Sequence, residues 1–572
     1  MRYARSTKLD SAAVYKSAGR HGRRGSVLLL VLVVVSLLSF SAYSFSELMI
    51  AEYAATSATS DQIQTHALAE SGVEAVADFL DGREQSNFEP TTSNAQLFRH
   101  QPLQTFHQQI GRYSIVPRLP QPNDPQPVFG LVDESSKLNL NALPLEDHKR
   151  KLSRKRLLVL KGMTEQIADA ILDWMDEDDE PSEFGVESSW YLSQTHPYRP
   201  AQQRLKSVEE LLRVRGVTAA ILFGEDTNQN GRLDLNENDG RNSKPDDNAD
   251  GRLDRGWAEF LTLDSRESNR KPGGAFRINV NQSDLPSLYD QTETALGADA
   301  AKFIVAWRLA GSAFGSESQR VGSASVVDAT ADSAEERKKR RPKSALDRLR
   351  QQLRGGDDDD EEDEDSGDTA LAEIAAMEDR AAIIKGGLNL SRRAAYSVRS
   401  LVDLIGTTVR IDVERRDTML KSPWSDDPSS IERMVLLLND HLTTSDEPVI
   451  TGRINVNEAS REVLLSVPEI SDSLANAIAA AQQRARGNSE IARQHRTLAW
   501  LYIEGLVDIR QLRNLAPYLT TSGDVFRGVS VGHIDGRRMT STVEFLLDAS
   551  GESTRVLQLV DRIPTSLPVE SW

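Results

Sequence analysis

The twelve-residue segment from Asp226 to Glu237 has oxygen-bearing side chains at the spacing of a calcium-binding loop. Ca²⁺ prefers carboxylate, amide and carbonyl oxygens, and a glycine at the sixth position, here Gly231, allows the sharp turn that gathers them. The sequence therefore predicts calcium as a structural cofactor that braces loops. The predicted ligands are Asp226, Asn228, Asn230, the carbonyl of Arg232, Asp234 and a bidentate Glu237.

A second segment repeats the first nine positions of this pattern. Its twelfth position is occupied by Trp257, and Glu259 could supply the missing carboxylate. The sequence leaves open whether this segment is a second calcium site or an acidic turn. Its possible metal ligands are Asp246, Asn248, Asp250 and Asp254.

An acidic cluster between 173 and 180, followed by Glu187, lies close in sequence to Trp190 and Tyr191. In a calcium-dependent hydrolase, two of these carboxylates would act as general acid and base. We expect instead a cluster that is hydrophilic on all sides, without the desolvation that raises a carboxylate pKa. The sequence thus predicts no catalytic residue and no enzyme.

The amino-terminal region predicts a membrane-spanning helix. Residues 1–25 hold seven basic side chains and one acidic one, whereas 26–46 hold no charged residue. Twenty-one mostly apolar residues are enough to cross about 30 Å of hydrocarbon, with the basic flank in the cytoplasm. No glycine or proline interrupts 26–71, so the helix is expected to continue beyond the membrane. Its predicted amphipathic face consists of Leu48, Ala51, Ala55, Ile63, Ala67 and Val73.

Three interpretations of this region are open: an uncleaved signal anchor, a cleavable secretory signal and a prepilin-type signal. In the third, the basic stretch ending in Gly25 resembles the type IV prepilin leader, which is cut before Ser26 and leaves the apolar helix in place. The uninterrupted helix favours this interpretation, because a signal peptide needs no such continuation.

Length and composition exclude several classes of protein. A chain of 572 residues is expected to form at least two domains. Its 68 Lys and Arg against 86 Asp and Glu give a net charge of −18, which argues against a general affinity for nucleic acid. The absence of cysteine excludes disulfides, thiolate metal sites and cysteine nucleophiles.

Three similar segments begin at Lys137, Arg277 and Arg453, and each contains an Asn-x-Asn pattern. Each predicts a short strand that ends in an Asn-capped turn and leads into a helix. Three apolar hairpins, at 157–174, 208–218 and 463–481, resemble the helix-hairpin-helix, whose Gly-x-Gly turn binds a DNA phosphate. Thr164 and Ser471 replace the second glycine and Glu469 the first in the last copy, so we expect a packing role.

Two further regions have a distinct composition. The segment 311–385 contains a basic run followed by nine consecutive carboxylates, which repel one another and predict a disordered charged insertion. Near the carboxyl end, 524–533, 539–548 and 555–560 alternate or are continuously apolar, and they predict three strands of a small sheet.

Taken together, these motifs resemble the minor pseudopilin K family of type II secretion systems. The resemblance covers most of the chain outside about 311–385. The residues that carry it are the Gly25–Ser26 processing site and the segments 67–74, 132–141, 170–181, 197–200, 207–216, 453–457 and 524–527.

This resemblance implies an α+β fold: a pilin-like long amino-terminal transmembrane helix with a small antiparallel sheet, plus an inserted, mainly α-helical domain containing helix-hairpin-helix-like units. The implied domains are a leader (1–25), the transmembrane and amphipathic helix (26–80), a first pilin-like part (81–140), a helical part with the calcium loops at 226–259 (141–310), the insertion (311–385), a second helical part (386–520) and the carboxyl-terminal strands (521–572).

The resemblance also implies a function in protein secretion. Such a protein is held in the bacterial inner membrane, with most of the chain in the periplasm, and lies at the tip of a pseudopilus. The implied partners are minor pseudopilins I and J, other pseudopilus subunits, secreted proteins and the prepilin peptidase, with methylation after cleavage and no nucleic acid. Leu30 occupies the fifth position after the cleavage site, where pilin-like subunits carry Glu. The alternative function is a membrane-tethered DNA-binding protein of competence type.

Overall fold

The structure is a computed structural model that describes residues 24–86, 94–106, 109–117, 128–229, 231, 233–271, 274–313, 319–320, 383–413, 416–486 and 488–562. It comprises two units, Met1–Thr65 and His66–Trp572. Nearly all of the predicted leader and most of the predicted charged insertion lie outside the described residues.

The helices of the described residues range from single turns to one very long element. They are α1 (Arg24–Ser86), α2 (Ala95–Phe98), α3 (Asp147–Leu157), α4 (Glu165–Met175), α5 (Ser188–Leu192), α6 (Ala219–Phe223), α7 (Leu285–Leu296), α8 (Ala298–Ala310), α9 (Ile431–His441), α10 (Arg461–Leu465), α11 (Asp472–Ala485), α12 (Ser489–Gln494), α13 (Ala499–Ile503) and α14 (Ile509–Leu515). Short 3-10 turns lie at Glu134–Ser136, Leu140–Ala142, Val208–Arg213, Leu235–Glu237, Gly256–Glu259 and Leu401–Leu404.

Most of the strands are two or three residues long. They are β1 (Gln101–Phe106), β2 (Gln109–Val116), β3 (Val132–Asp133), β4 (Leu138–Asn139), β5 (Leu261–Thr262), β6 (Arg266–Ser268), β7 (Ile278–Asn279), β8 (Gln319–Arg320), β9 (Ile384–Lys385), β10 (Leu388–Asn389), β11 (Tyr396–Ser397), β12 (Thr408–Val413), β13 (Arg416–Lys421), β14 (Leu442–Thr443), β15 (Val449–Thr451), β16 (Ile454–Asn455), β17 (Leu519–Thr520), β18 (Val525–Ile534), β19 (Thr540–Asp548) and β20 (Arg555–Arg562).

Helix α1 is the longest element and runs unbroken for 63 residues. At 1.5 Å per residue it is about 95 Å long. Within Val27–Gly82 it contains a stretch that is long and apolar enough to cross a membrane, and none of that stretch is buried. Its first part exposes a continuous apolar surface, including Leu28, Leu32 and Phe40.

The carboxyl-terminal part of α1 packs on a sheet. Ala69, Val73, Val76 and Leu80, spaced three or four residues apart, are buried in one hydrophobic cluster with residues of that sheet. Of the amphipathic face predicted from the sequence, Leu48, Ala51, Ala55, Ile63 and Ala67 are exposed and only Val73 is buried against the sheet. The buried face begins later along the helix because the sheet covers only its last turns.

The sheet is antiparallel and has the order β1-β2-β18-β19-β20, with β3 paired to β18. The three carboxyl-terminal segments predicted as strands are confirmed as β18, β19 and β20. Strand β2 comes from the amino-terminal part of the chain and β18 from the carboxyl-terminal part. Their pairing therefore brings together the two ends of the chain segment that lies between them.

Gly72 allows α1 to lie close to this sheet. A Cβ atom at this position would overlap Ser530 Oγ of β18 and would lie 3.0 Å from two ring atoms of Tyr113 in β2. Ser530 and its neighbour Val531 are both buried. The glycine in the 67–74 motif is thus explained by the close approach of helix and sheet.

A histidine pair lies near the end of the interior strand β18. His100 Nδ1 is 3.1 Å from His533 Nε2, and the two rings meet edge to face. Burial, together with the nearby charges of His100 and Arg112, lowers the pKa of His533 from 6.5 to about 4, against the raising effect of Asp535.

We predict that this pair makes the sheet sensitive to acid. Because the folded state holds the pKa of His533 below its unfolded value, the unfolded state binds more protons between pH 6.5 and about 4. Stability is therefore complete above pH 6.5 and falls as the pH drops through that window, by about 3 kcal/mol at most. Denaturant titrations at a series of pH values should show His533→Gln losing this slope. His196→Gln, at an exposed histidine, should keep it, and an unchanged slope in His533→Gln would refute the prediction.

The region between β3 and β18 is built from three repeats. In each, the strand that contains the first asparagine of the Asn-x-Asn pattern pairs in parallel with a Leu-Thr dipeptide far along the chain. The pairs are β4 with β5, β7 with β14, and β16 with β17. One buried hydrophobic cluster fills the first repeat and another is shared by the second and third, with Phe260 packed against both clusters.

The second asparagine of each pattern joins backbone groups from distant segments. Asn141 donates to the carbonyl of Leu205 at 3.0 Å, Asn281 to that of Val398 at 2.9 Å, and Asn457 to that of His495 at 2.9 Å. The Asn-capped turn is confirmed in the second and third patterns, where Asn279 Oδ1 and Asn455 Oδ1 accept the N–H groups of Asn281 and Asn457 at 2.8 and 2.9 Å. Asp284 and Ser460 cap the helices that follow the second and third patterns, which leaves the asparagine amides free for these bridges.

Two buried carboxylates connect the sheet to the repeats. Asp133, at the end of β3, accepts hydrogen bonds from Asn455 Nδ2 of the third repeat and from the Gly523 N–H, at 2.8 and 2.7 Å. Burial raises the pKa of Asp133 to about 6.

Glu134 is the centre of the second connection. It accepts from Arg527 Nε of β18 at 2.8 Å, from Lys137 Nζ at 2.9 Å and from Thr262 Oγ1 of β5 at 2.5 Å. Burial alone would raise the pKa of Glu134, but the charges of Lys137 and Arg527 outweigh it and lower the pKa to about 2. Glu134 is therefore ionised and holds the first repeat against the sheet.

The structure confirms the coarse fold class, a mixture of helices and sheet with a long apolar helix near the amino terminus. The domain boundaries and the helix-hairpin-helix assignment stay predictions.

Candidate functional site

The predicted calcium loop follows α6 and ends with the 3-10 turn Leu235–Glu237. The two carboxylates at its ends, Asp226 and Glu237, are both buried. The predicted ligands Asn230 and Arg232 lie outside the described residues, so the structure places four of the six predicted ligands.

Hydrogen bonds fold this loop back on itself. The N–H of Gly231, whose φ of 69° is left-handed, donates to Asp226 Oδ2 at 3.1 Å. Asn228 Nδ2 donates to Asp234 Oδ2 at 2.8 Å, and the Asp234 N–H donates to Glu237 Oε2 at 3.0 Å. The loop therefore gathers Asp226, Asn228, Asp234 and Glu237 around one turn.

The residues present fit a cation. Glu237 Oε1 is buried and has no hydrogen-bond partner. Burial raises the pKa of Glu237, and the charges of Asp226 and Asp234 raise it further, against the hydrogen bond from Asp234 N–H. A cation bound here would satisfy the buried oxygen and neutralise this group of carboxylates.

The second acidic segment is arranged differently. Asp246 is exposed and pairs with Lys244 at 2.7 Å, and Asp254 Oδ1 accepts the Gly256 N–H. The neighbouring Asp247 instead accepts the N–H groups of Asp239, Gly240 and Ala249. Asn248 donates to Asp250 Oδ2, while Glu259 is exposed. This segment resembles an acidic turn more closely than the first loop does.

The three hairpin turns share one backbone geometry. Each has a residue of positive φ, namely Gly162, Gly216 or Glu469, followed by one buried apolar residue and then a hydroxyl residue. The hydroxyl residues Thr164, Thr218 and Ser471 each accept the N–H three residues later at 3.3 Å. The residues that replace the second glycine therefore cap helices, and in the described part of the chain no observation favours DNA binding.

The acidic cluster at the end of α4 is buried, contrary to the prediction. Asp173, Asp176 and Glu187 are 0%, 5% and 2% exposed. Arg150 of α3 donates through Nη2 to Asp173 Oδ1 at 2.7 Å and to Asp176 Oδ2. Desolvation therefore occurs where a hydrophilic surface was expected, because α3 and the loop after α4 cover these carboxylates.

Burial changes the acidity of this cluster. Together with the neighbouring carboxylates, it raises the pKa of Glu187 to about 8 and, against the charge and hydrogen bond of Arg150, that of Asp176 to about 6. Asp178, Asp179 and Glu180 are exposed. The signal that could have revealed the burial is a matching spacing: Arg150 and Arg154 of α3 are four residues apart, as are their partners Asp173 and Asp169 of α4.

Comparisons with known proteins match the same region. Residues 136–223, which contain α3, α4 and the acidic cluster, match the family model described as Type II secretion system (T2SS), protein K. The chain is 27% identical over 216 residues to the type II secretion system protein K of Klebsiella pneumoniae, an alignment that covers 35% of this chain and 60% of that protein. It is 41% identical over 61 residues to the putative type II secretion system protein K of Escherichia coli (strain K12), covering 11% and 19%.

One solved structure is also similar, the crystal structure of the GspK-GspI-GspJ complex from the type 2 secretion system of enterotoxigenic Escherichia coli. The match covers 89% of this chain and 99% of the matched one, at 12% identity and a TM-score of 0.30. A similarity of that size supports no conclusion about this chain.

The sequence matches are partial: this chain covers 60% of the length of the Klebsiella relative and 19% of that of the Escherichia coli K12 relative. The family model and both relatives are described as protein K of a type II secretion system. The residues that match the family model include the helices α3 and α4 and the acidic cluster at the end of α4. The chain is therefore similar, over part of its length, to the type II secretion system protein K family.

Proposed function

We propose that this chain is a minor pseudopilin of a type II protein secretion system. It is anchored in the bacterial inner membrane by α1 as a single pass, with the bulk of the chain in the periplasm. It forms or caps the tip of the pseudopilus, where it helps to initiate assembly or engages exported proteins. The observation that carries this proposal is α1 itself, whose first part is apolar and exposed and whose last part is buried against an antiparallel sheet.

The proposed partners follow from the family. They are minor pseudopilins I and J, other pseudopilus subunits, secreted proteins and the prepilin peptidase. Leu30 supports a position at the end of the filament, because a carboxylate at the fifth position of a pilin-like subunit offsets the amine charge of a neighbour during docking. The chain acts as a structural component and not as an enzyme.

Processing at Gly25 provides the test. We expect the mature chain, isolated from membranes of cells that contain the prepilin peptidase, to begin at Ser26. Gly25→Val should block cleavage and abolish secretion in a strain that lacks its own protein K. The matched control, Gly22→Val, changes another glycine of the same leader and should be processed normally.

Two outcomes would overturn the proposal. A mature chain that lacks residues 26–40 would indicate a secretory signal, and an uncleaved chain in the presence of the peptidase would indicate a signal anchor. Amino-terminal sequencing distinguishes both from cleavage before Ser26.

We propose further that the loop 226–237 binds structural calcium, because its buried carboxylates include one oxygen without a hydrogen-bond partner. Ca²⁺ at a hundredfold excess over its dissociation constant would stabilise the fold by about 2.7 kcal/mol. Glu237→Gln should reduce the rise in unfolding temperature that Ca²⁺ produces in the full-length protein, whereas Glu209→Gln, at an exposed glutamate, should preserve it. An equal rise in both variants would contradict this site.

A further inference from the structure

A basic and aromatic surface lies on the first repeat, between α5 and the hairpin turn at Gly216. Residues 188–216 contain five Lys or Arg side chains and two Glu side chains, in a chain whose net charge is −18. The charge of this segment is therefore opposite in sign to that of the whole chain. We define the Arg213 patch as Trp190, Tyr198, Arg199, Arg213 and Arg215.

The buried side chain of Tyr191 holds the members of the Arg213 patch side by side. Its ring centroid lies 4.9 Å from that of Trp190 and 5.3 Å from that of Tyr198. The Tyr198 hydroxyl donates to the carbonyl of Arg213 at 2.7 Å. The Arg215 N–H donates to the Tyr191 hydroxyl at 3.4 Å. The segment after α5 and the 3-10 turn Val208–Arg213 are thus joined into one surface.

The guanidinium groups of the Arg213 patch are available to a partner. Arg199 and Arg213 are exposed, and neither forms an ion pair with a residue that the structure describes. Arg215 is half-buried and stacks on Trp190, with its Cζ atom 5.6 Å from the ring centroid. The stacking holds this guanidinium in place without neutralising its charge.

The two carboxylates of the 3-10 turn leave these charges uncompensated. Glu210 accepts from Trp174 Nε1 at 3.2 Å and from the Lys206 N–H at 3.1 Å. Glu209 is exposed and forms no ion pair within the described part of the chain. Three guanidinium groups without a bound carboxylate create a positive potential that attracts an anionic partner.

The composition of the Arg213 patch favours a protein surface that carries carboxylates. Arg binds a carboxylate through two parallel N–H···O bonds, and Arg, Trp and Tyr supply most of the binding energy at protein interfaces. Leu192 and Leu212, next in sequence to Tyr191 and Arg213, are 44% and 41% exposed and add apolar surface. The patch therefore offers both the charges and the apolar contacts that such a partner needs.

A long polyanion fits this surface less well than a compact group of acidic side chains. Gln202 Nε2 donates to the carbonyl of Asp178 at 2.9 Å, which places the exposed Asp178 and Asp179 next to the segment after Tyr198. A nucleic acid that followed the patch would meet these carboxylates, and its phosphates would be repelled. This observation favours a protein partner over a nucleic acid.

We propose that the Arg213 patch binds a carboxylate-rich surface of an exported protein. The inference rests on the proposed function in secretion and names the chemistry by which exported proteins are engaged. The patch contributes no strand to the sheet and no residue to the hydrophobic cluster in which α1 packs. For this reason we assign it to an exported protein and not to another pseudopilus subunit, which α1 and the sheet would contact.

Binding is measured with the full-length protein in detergent and a fluorescent peptide in which Asp and Glu alternate with Leu. Fluorescence anisotropy should show binding that weakens as the salt rises from about 0.1 M to about 1 M, because the screening length shortens from about 10 Å to about 3 Å. Arg199→Glu combined with Arg213→Glu should weaken binding about tenfold. The matched control, Arg392→Glu with Arg393→Glu, makes the same change of charge at two exposed arginines and should keep the affinity.

A second comparison applies if the double variant does not fold, because it uses the unmodified protein. The same peptide with Asn and Gln in place of Asp and Glu should bind about tenfold more weakly. Equal affinity for the two peptides would overturn the proposal. A short DNA duplex that binds more tightly than the acidic peptide would also overturn it.

Secretion separates this proposal from the proposed function. In a strain that lacks its own protein K, Arg199→Glu with Arg213→Glu should still co-purify with minor pseudopilins I and J, while secretion of acidic exported proteins falls severalfold. Failure of the unmodified chain to co-purify would contradict the proposed function. A double variant that co-purifies and secretes these proteins normally would overturn only the role of the Arg213 patch.

Discussion

Glu134→Ala is expected to lower the free energy of unfolding by about 3–5 kcal/mol, the largest effect of any single substitution considered for this protein. The side chain of Glu134 is fully buried and accepts from Arg527, Lys137 and Thr262. Its removal leaves the charges of Arg527 and Lys137 without their principal acceptor inside the protein. Arg527 retains Glu544 at 3.0 Å, whereas Lys137 has no other ion pair among the described residues. Urea titration followed by tryptophan fluorescence measures the loss.

The control for Glu134→Ala is Glu552→Ala. Glu552 pairs with Arg270 at 3.0 Å but is largely exposed, and such surface pairs contribute about 0–1 kcal/mol. Equal effects of the two substitutions would contradict the role assigned to Glu134. The dependence of the free energy of unfolding on pH gives a second test. Stabilisation by Glu134 is complete above pH 4.5 and is lost as the pH falls through about 2. Glu134→Ala should therefore lose less stability than the unmodified protein over this range of pH.

Gly72→Val is expected to destabilise the packing of α1 on the sheet by about 1–3 kcal/mol. The new side chain would overlap Ser530 Oγ and press on the ring of Tyr113. Either α1 moves away from β2 and β18, or the buried serine and tyrosine move. Hydrogen exchange of β18 amides, read by mass spectrometry, measures the loosening, and a secretion assay measures its consequence.

Gly82→Val is the matched control, because Gly82 lies in the same helix and a Cβ atom there meets nothing within 4 Å. Its effect should be within about 0.5 kcal/mol. If both valine variants behave alike, helix propensity rather than the close approach explains the result.

Local patterns in the sequence predicted local structure well. The absence of glycine and proline between Ser26 and Ser71 predicted an unbroken helix, and α1 continues to Ser86. The three apolar carboxyl-terminal segments formed β18, β19 and β20 within one or two residues of the expected bounds. In the candidate calcium loop, the glycine spacing predicted the turn at Gly231, which has the expected left-handed φ.

Pairings between distant residues could not be predicted in this way. The Asn-x-Asn patterns indicated three strands, but nothing in them shows that each strand pairs with a Leu-Thr dipeptide more than sixty residues later in the chain. The asparagine side chains were assigned to caps because capping is a local interaction. In the structure the first asparagines of the second and third patterns do cap turns, whereas Asn141 and Asn281 bond backbone groups that the fold brings from elsewhere, such as those of Leu205 and Val398.

The burial of the acidic cluster at the end of α4 likewise could not be predicted from the sequence. A run of carboxylates has low hydropathy whatever surrounds it, so composition alone assigns it to the surface. The burial of Asp173 depends on Arg150 and Ser182, which come from the two segments on either side of α4. Only the tertiary arrangement distinguishes Glu187, which is buried, from Glu180, which is exposed.

The pairing of β7 with β14 has a consequence for how this chain can change over evolutionary time. Strand β7 pairs with β14 and β8 pairs with β11, and in each pair one strand precedes residues 321–382 and the other follows them. The pairing within the second repeat therefore does not depend on the number of residues in that segment. Doubling the length of such a connection adds only about 0.6 kcal/mol of closure entropy. Related proteins can therefore differ by dozens of residues at this point and keep the same repeats, which also makes it a suitable place to insert a fluorescent reporter.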